Sequence, residues 1–168
     1  MRVLGLDPGL AITGWGVVVE EESGKLVLAD YGAITTATDL PLAKRLQCLY
    51  QELTALIAAQ QPDVAAVEEL FFSRNVRTAL NVGQARGVAL LALANAGLSV
   101  QEYTPLEVKQ AVVGYGRATK DQVQQMVQML LGLPEVPRPD DAADAVAVAI
   151  CHLHGARFQT LISREEKA

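Results

Sequence analysis

Residues 3–9 read Val3-Leu4-Gly5-Leu6-Asp7-Pro8-Gly9, an apolar run of strand length that ends in a carboxylate at a Pro-Gly turn. Gly14–Glu20 and Lys25–Thr35 follow as two more strand patterns, joined by the acidic turn Glu20–Gly24. The links are too short for a crossover, so the spacing predicts three antiparallel neighbours. From Pro41 to Gln60 the apolar residues Leu42, Leu46, Leu49, Tyr50, Leu53, Leu56 and Ile57 repeat at the helical period, and Pro62 ends the run. Val64–Glu68 is then a fourth strand, apolar up to its acid, as expected of a central strand reached by a crossover. A second long helix is predicted over about Arg77–Ala96 with Gly97 as its C-cap, and a fifth strand over Leu98–Tyr103. Thr104-Pro105-Leu106-Glu107 and Thr119-Lys120-Asp121-Gln122 are capping boxes opening two further helices. A last helix is predicted from Asp140 to about Arg157. This order implies an α/β sandwich with a mixed five-stranded sheet flanked by helices.

The 168 residues suit one domain, expected over 1–160, with 161–168 as a disordered charged tail. Apolar residues make up 51% of the chain, yet no uninterrupted run approaches the roughly 20 residues of a membrane span. No basic-then-apolar leader precedes Asp7, and Cys48 and Cys151 fit neither a disulfide framework nor a Cys/His metal pattern. The expectation is a cytoplasmic protein with reduced core thiols and no membrane partner. Net charge is −5, but residues 70–138 hold seven Lys/Arg against four Asp/Glu. A locally basic centre beside acids that a metal would neutralise is compatible with a polyanionic substrate, and equally with scattered charge on a solvated face.

Three acidic stretches stand where apolar residues belong: Asp7 after its strand, Glu68 (with Glu69) after Val64–Val67, and Asp141 and Asp144 opening an otherwise apolar helix. Each alone has an ordinary reading, as a turn residue or a partner of the helix macrodipole. Together they are carboxylates at the carboxyl ends of two strands and on one face of one helical turn, the place where open α/β sheets bind ligands. Buried carboxylates are costly unless paired or coordinated. Four of them can hold two divalent ions about 4 Å apart, one activating a water and the other stabilising the leaving oxygen of a phosphodiester. Magnesium, with manganese as a substitute, is the expected cofactor. No Ser-His-Asp, Cys-His or phosphate-loop pattern competes, and His152 and His154 are expected to be packing or helix-end residues.

Asp7-Pro8-Gly9 with Thr13-Gly14-Trp15-Gly16, Ala66-Val67-Glu68, Gly83-Gln84-Ala85-Arg86-Gly87, Val108–Gly114 and Asp141-Ala142-Ala143-Asp144-Ala145 resemble, in order and over essentially the whole chain, the RuvC family of bacterial Holliday junction resolvases. The resemblance implies a ribonuclease H-like fold, a homodimer, and magnesium-dependent nicking of two strands of like polarity in four-way junction DNA. It casts Asp7, Glu68, Asp141 and Asp144 as both catalytic and metal-binding; some relatives carry His where this chain has Asp141. It also implies cooperation with the RuvA–RuvB branch-migration complex.

For DNA contacts the candidates are Phe71, Arg74, Asn75, Arg77, Lys109, Arg117 and Lys120. The loop 114–120 combines glycines, two cations and a helix N-terminus, all suited to phosphate. The resemblance places Lys109 and Lys120 near the scissile strand, though Lys109 also reads as a surface lysine. It matches Phe71 to an aromatic that stacks on an unpaired base, while core burial is the alternative for Phe71 and the favoured reading for Phe72. Arg86 is expected to support packing or dimerisation, and Val82–Leu93 is the candidate dimer face, a pattern core burial would also give. Two rivals remain. A sugar-kinase or actin-like nucleotide binder shares the early strand–Asp-x-Gly turn, but needs a second lobe and leaves Asp141 and Asp144 unexplained. A catalytically silent nucleic-acid scaffold would not need four intact acids.

Overall fold

In the computed structural model the chain is described over residues 1–69 and 76–165, with backbone alone for 76, 77 and 157–165. Five strands, β1 (Arg2–Asp7), β2 (Ile12–Glu20), β3 (Leu26–Thr35), β4 (Val64–Glu68) and β5 (Ser99–Tyr103), form one sheet in the order β3-β2-β1-β4-β5. β1 and β2, and β2 and β3, pair antiparallel; β1 and β4, and β4 and β5, pair parallel. The parallel pairs are reached through α1 (Leu42–Gln60) and α2 (Val76–Asn95). α3 (Pro105–Val113), α4 (Lys120–Leu131) and α5 (Asp140–Glu165) complete the ribonuclease H-like arrangement expected from the order of elements. Both capping boxes form as predicted, Thr104 with Glu107 and Thr119 with Gln122. α5 runs to Glu165, past the end expected near Arg157, because no proline or glycine interrupts the chain after Gly155.

Alternation along the strands sends side chains into two cores. Leu4, Leu6, Val17, Ala65 and Val67 pack with Leu49, Leu53, Ala85, Ala89 and Leu93 of α1 and α2. Val3, Val18 and Ala66 pack with Val108, Val127, Val146, Ile150 and Leu153 of α3, α4 and α5. Leu4, Leu6, Leu49, Leu53 and Leu93 are fully buried, and each contributes about 1.5–3 kcal/mol.

α5 lies unusually close to the sheet, and small residues on both sides make that possible. A side chain at Gly5 would overlap the backbone at Ala145 and Ala149, one at Gly14 the backbone of Asp141 and Ala142, and one at Gly16 Val146. Gly5 and Gly16 are register partners, and Gly14 is the partner of Asp7. The helix contributes Ala142, Ala143, Ala145, Ala147 and Ala149, all buried. These contacts set the first turn of α5 against the end of β1.

Candidate active site

Asp7 ends β1 and Glu68 ends β4; because Leu6 pairs with Val67 in parallel register, the two carboxylates emerge side by side on the face covered by α5. The turn after Asp7 is braced at successive carbonyls. The buried Thr13 hydroxyl donates to Gly9 O at 2.7 Å, the Thr36 hydroxyl donates to Leu10 O, and the Thr36 N–H donates to Ala11 O at 3.1 Å. From the other side, the close approach of α5 brings Asp141 and Asp144 to the same edge. Acids spread over 138 residues of sequence thus come near enough to act on one another: Asp144 and Asp141 on Asp7, and Asp7 and Asp144 on Glu68.

Asp7, Glu68 and Asp144 are partly buried and crowded, and their carboxyls are raised accordingly. Burial, then the charges of Asp144 and Asp141, raise the Asp7 carboxyl from its ordinary range to about 6. Burial, then Asp7 and Asp144, push Glu68 up to about 8. A hydrogen bond joins the two, lowering Asp7 and raising Glu68, so Glu68 carries the shared proton at neutral pH. Asp144 is also raised by burial, against the opposing pull of Lys120.

Lys120 Nζ lies 2.7 Å from Asp144 Oδ2 and 3.7 Å from Asp140 Oδ2. Burial works against its charge, but the bond to Asp144 and the fields of Asp144, Asp140 and Asp141 outweigh it and hold its pKa above the ordinary lysine value. Among the described residues, no three His, Cys, Asp or Glu close around a common point. The proton between Asp7 and Glu68, and the ammonium of Lys120, take up charge that a cation could otherwise balance. A set of hard oxygen donors that repel one another in this way fits a divalent ion.

Lys109 joins Lys120 in a pocket of about 230 Å³ with Glu68, Asp144, Pro105, Val108, Val123 and Ala147. Asp141 instead faces a second pocket, of about 330 Å³, lined by Gly9–Ile12, Arg45, Thr78, Asn81 and Val82. Arg117 is exposed on the loop before α4 and lines neither pocket. Phe71, Phe72, Arg74 and Asn75 lie outside the described residues, and Arg77 is described by its backbone in the first turn of α2. Glu69 is exposed, its N–H bonded to Tyr103 O at 2.8 Å.

The histidines pack as expected. His152 Nδ1 is 2.9 Å from the Tyr103 hydroxyl, and His154 Nδ1 is 2.9 Å from Ala111 O. Arg86 pairs with Glu102 of β5 and so ties α2 to the sheet. The candidate dimer face divides: Ala85, Ala89, Ala92 and Leu93 are core, while Leu80 and Leu91 are 61% and 54% exposed. Three features escaped the sequence reading: Asp140, which pairs with both Lys120 and Arg138; the glycines under α5; and Arg45, held against the turn that follows Asp7. The glycines at 14 and 16 signal themselves in the chain by their alternation in β2 and by their place in the Thr13-Gly14-Trp15-Gly16 motif, neither of which says what packs on them.

Comparison with known proteins agrees with this geometry. The family model described as crossover junction endodeoxyribonuclease RuvC matches residues 3–152. The RuvC of Chloroflexus aggregans is 63% identical over 156 residues, covering 93% of this chain and 94% of that protein. The solved Thermus thermophilus RuvC superposes with a TM-score of 0.88 at 40% identity, covering 95% of this chain and 98% of that one. A second structure, of T. thermophilus RuvC in complex with Holliday junction substrate, gives a TM-score of 0.86 at 37% identity, covering 94% and 96%. Ordered motifs, sheet topology and these likenesses converge, and the chain belongs to the RuvC family of crossover junction endodeoxyribonucleases.

Proposed function

We propose that this endonuclease resolves four-way DNA junctions as a homodimer, with Asp7, Glu68, Asp141 and Asp144 as catalytic and metal-binding acids and magnesium, two ions per site, as cofactor. The observation that carries the reading is the crowding of Asp7 and Glu68, side by side at the ends of paired strands, with Asp144 close enough to raise both carboxyls. Bound there, divalent ions supply water activation and stabilisation of the leaving oxygen. Glu68 and Asp7 give up their shared proton on loading, and the glycine-packed first turn of α5 keeps Asp141 and Asp144 in place. Lys109 and Lys120 hold the phosphate of the scissile strand within the pocket they share with Glu68 and Asp144. Arg117, Phe71, Arg74, Asn75 and Arg77 extend the DNA contact on either side. The T. thermophilus complex with a Holliday junction supports junction DNA as the substrate.

A junction is close to two-fold symmetric, so a two-fold dimer presents two identical sites to matched strands. Leu80, Gly87 and Leu91 share an exposed face of α2, and the space over Gly87 is open, which suits close approach of a second copy. One nuclease domain spans 1–160. Among the described residues, no helix is long and apolar enough to cross a membrane. Membership of the family supports reading it as a cytoplasmic enzyme that works with RuvA–RuvB. The test is cutting of a labelled four-way junction and of linear duplex of the same sequence, with Mg²⁺ and with EDTA. Paired symmetric nicks in the junction alone, abolished by EDTA, are expected; equal cutting of duplex would overturn the reading.

A further inference from the structure

Arg45 of α1 reaches over the turn that follows Asp7. Its Nε donates to Thr36 Oγ1 at 2.9 Å, and its Nη2 donates to Leu10 O at 3.2 Å and to Thr36 O at 3.5 Å. All three partners are neutral, and no carboxylate among the described residues lies within ion-pair distance of Arg45. Its Nη1 makes no hydrogen bond to a described residue. A guanidinium keeps its charge under all ordinary conditions, so this one is a fixed, half-buried cation without a counter-ion among the described residues.

It lines the second pocket, of about 330 Å³, together with Gly9, Asn81 and Asp141. That pocket shares no residue with the one formed by Lys109 and Lys120. Asp144 borders one and Asp141 the other, so the two pockets flank the acids. The side chain of Asn81, half-buried on α2, makes no hydrogen bond to a described residue, and the residue lines the same space with an amide able to donate.

We propose that this cleft is a phosphate subsite for the substrate strand, in which Arg45 and Asn81 hold a backbone phosphate on the far side of the scissile bond from Lys109 and Lys120. The proposal rests on the resolvase reading above. The cations of the two clefts would draw the strand across the acids from both sides. A brace alone needs only the three bonds to neutral oxygens, and it gives no reason for the remaining edge of the fork to face an open cleft beside Asp141.

The test measures affinity for a four-way junction as a function of salt in an Asp7→Asn background, so that bound DNA stays intact. The parent is compared with Arg45→Gln and Asn81→Asp. Each added substitution is expected to weaken binding about ten-fold at low salt. Arg45→Gln is expected to flatten the slope of log affinity against log salt by about 0.7–0.9, the loss of one phosphate contact. A parental affinity and slope in Arg45→Gln, with slower cutting when Asp7 is restored, would reduce Arg45 to a brace and overturn the subsite. Asn81→Asp touches none of the brace bonds and carries the test if Arg45→Gln folds poorly; unchanged affinity there also overturns it. A parent with no preference for junction over duplex would overturn the resolvase reading itself, and the subsite with it.

Discussion

The backbone of Gly14 lies so close to the carbonyl of Asp141 that the first carbon of any side chain there would overlap it. Gly14 is also the register partner of Asp7. One residue therefore sets the distance between the carboxylate on β1 and the acidic turn of α5.

Gly14→Ala should displace that turn instead of merely crowding it, because the neighbour is backbone and cannot rotate away. Overpacking of this kind costs about 1–3 kcal/mol. The expected outcome is a lower Tm together with junction cutting reduced at least about 100-fold, since misplacement by about 1 Å is costly to catalysis. Gly87→Ala meets open space and serves as the control. Its monomer should keep the wild-type Tm.

The metal-free protein should lose stability as pH rises. Asp7 sits at about 6 and Glu68 at about 8, both above their ordinary values, so the folded protein holds protons that the unfolded chain releases. The corresponding stability is full below about pH 4 and is lost progressively as pH passes through 6 and then 8, on the order of several kcal/mol in total. Thermal melts in EDTA from pH 5 to 8.5 read this directly, and Mg²⁺ should restore Tm most at the alkaline end. Magnesium binding at pH 7 should also release protons, seen as a dependence of calorimetric heat on buffer.

Glu68→Gln separates stability from function. Without metal at pH 8, the amide removes a carboxylate that Asp7 and Asp144 oppose, so Tm should rise above wild type. Cutting should fall to background. A variant that is both inactive and less stable in EDTA at pH 8 would contradict the electrostatic picture.

Lys120→Met should act in two directions. Without the ammonium 2.7 Å from Asp144, Mg²⁺ meets less competition and its apparent affinity in the absence of DNA should rise a few-fold. Junction cutting should nonetheless fall, by about ten-fold or more, if Lys120 holds the substrate phosphate as proposed. Lys120 is half exposed, so its contribution to folding stability is small.

Much of this arrangement is legible in the chain itself, for physical reasons. The strand and helix bounds follow from periodicity and agree to within one or two residues, apart from the end of α5. Both capping boxes carry their own chemistry in four consecutive residues, which is why they read so clearly. Asp7, Glu68, Asp141 and Asp144 stand out as candidates in the chain because each acid interrupts an apolar run. What stays hidden depends on contacts across long stretches of chain. The glycines of β1 and β2 acquire meaning only when α5 is laid on them. The pair of Lys120 with Asp144 joins two helices whose relative placement no local pattern encodes. Arg45 looks like any helix-surface arginine until the turn at Leu10 folds back against it. Asp140, next to the predicted Asp141, reads as part of an ordinary acidic first turn.

The most direct measurement of the central claim is Mg²⁺-dependent cutting of a four-way junction by wild type and by Asp7→Asn, Glu68→Gln, Asp141→Asn and Asp144→Asn, each with junction affinity measured alongside. All four variants should bind the junction at least as well as wild type, having lost a negative charge, and cut it at least about 1,000-fold more slowly. Near-wild-type cutting by any one of them would remove that carboxylate from the metal site and contradict the four-acid centre.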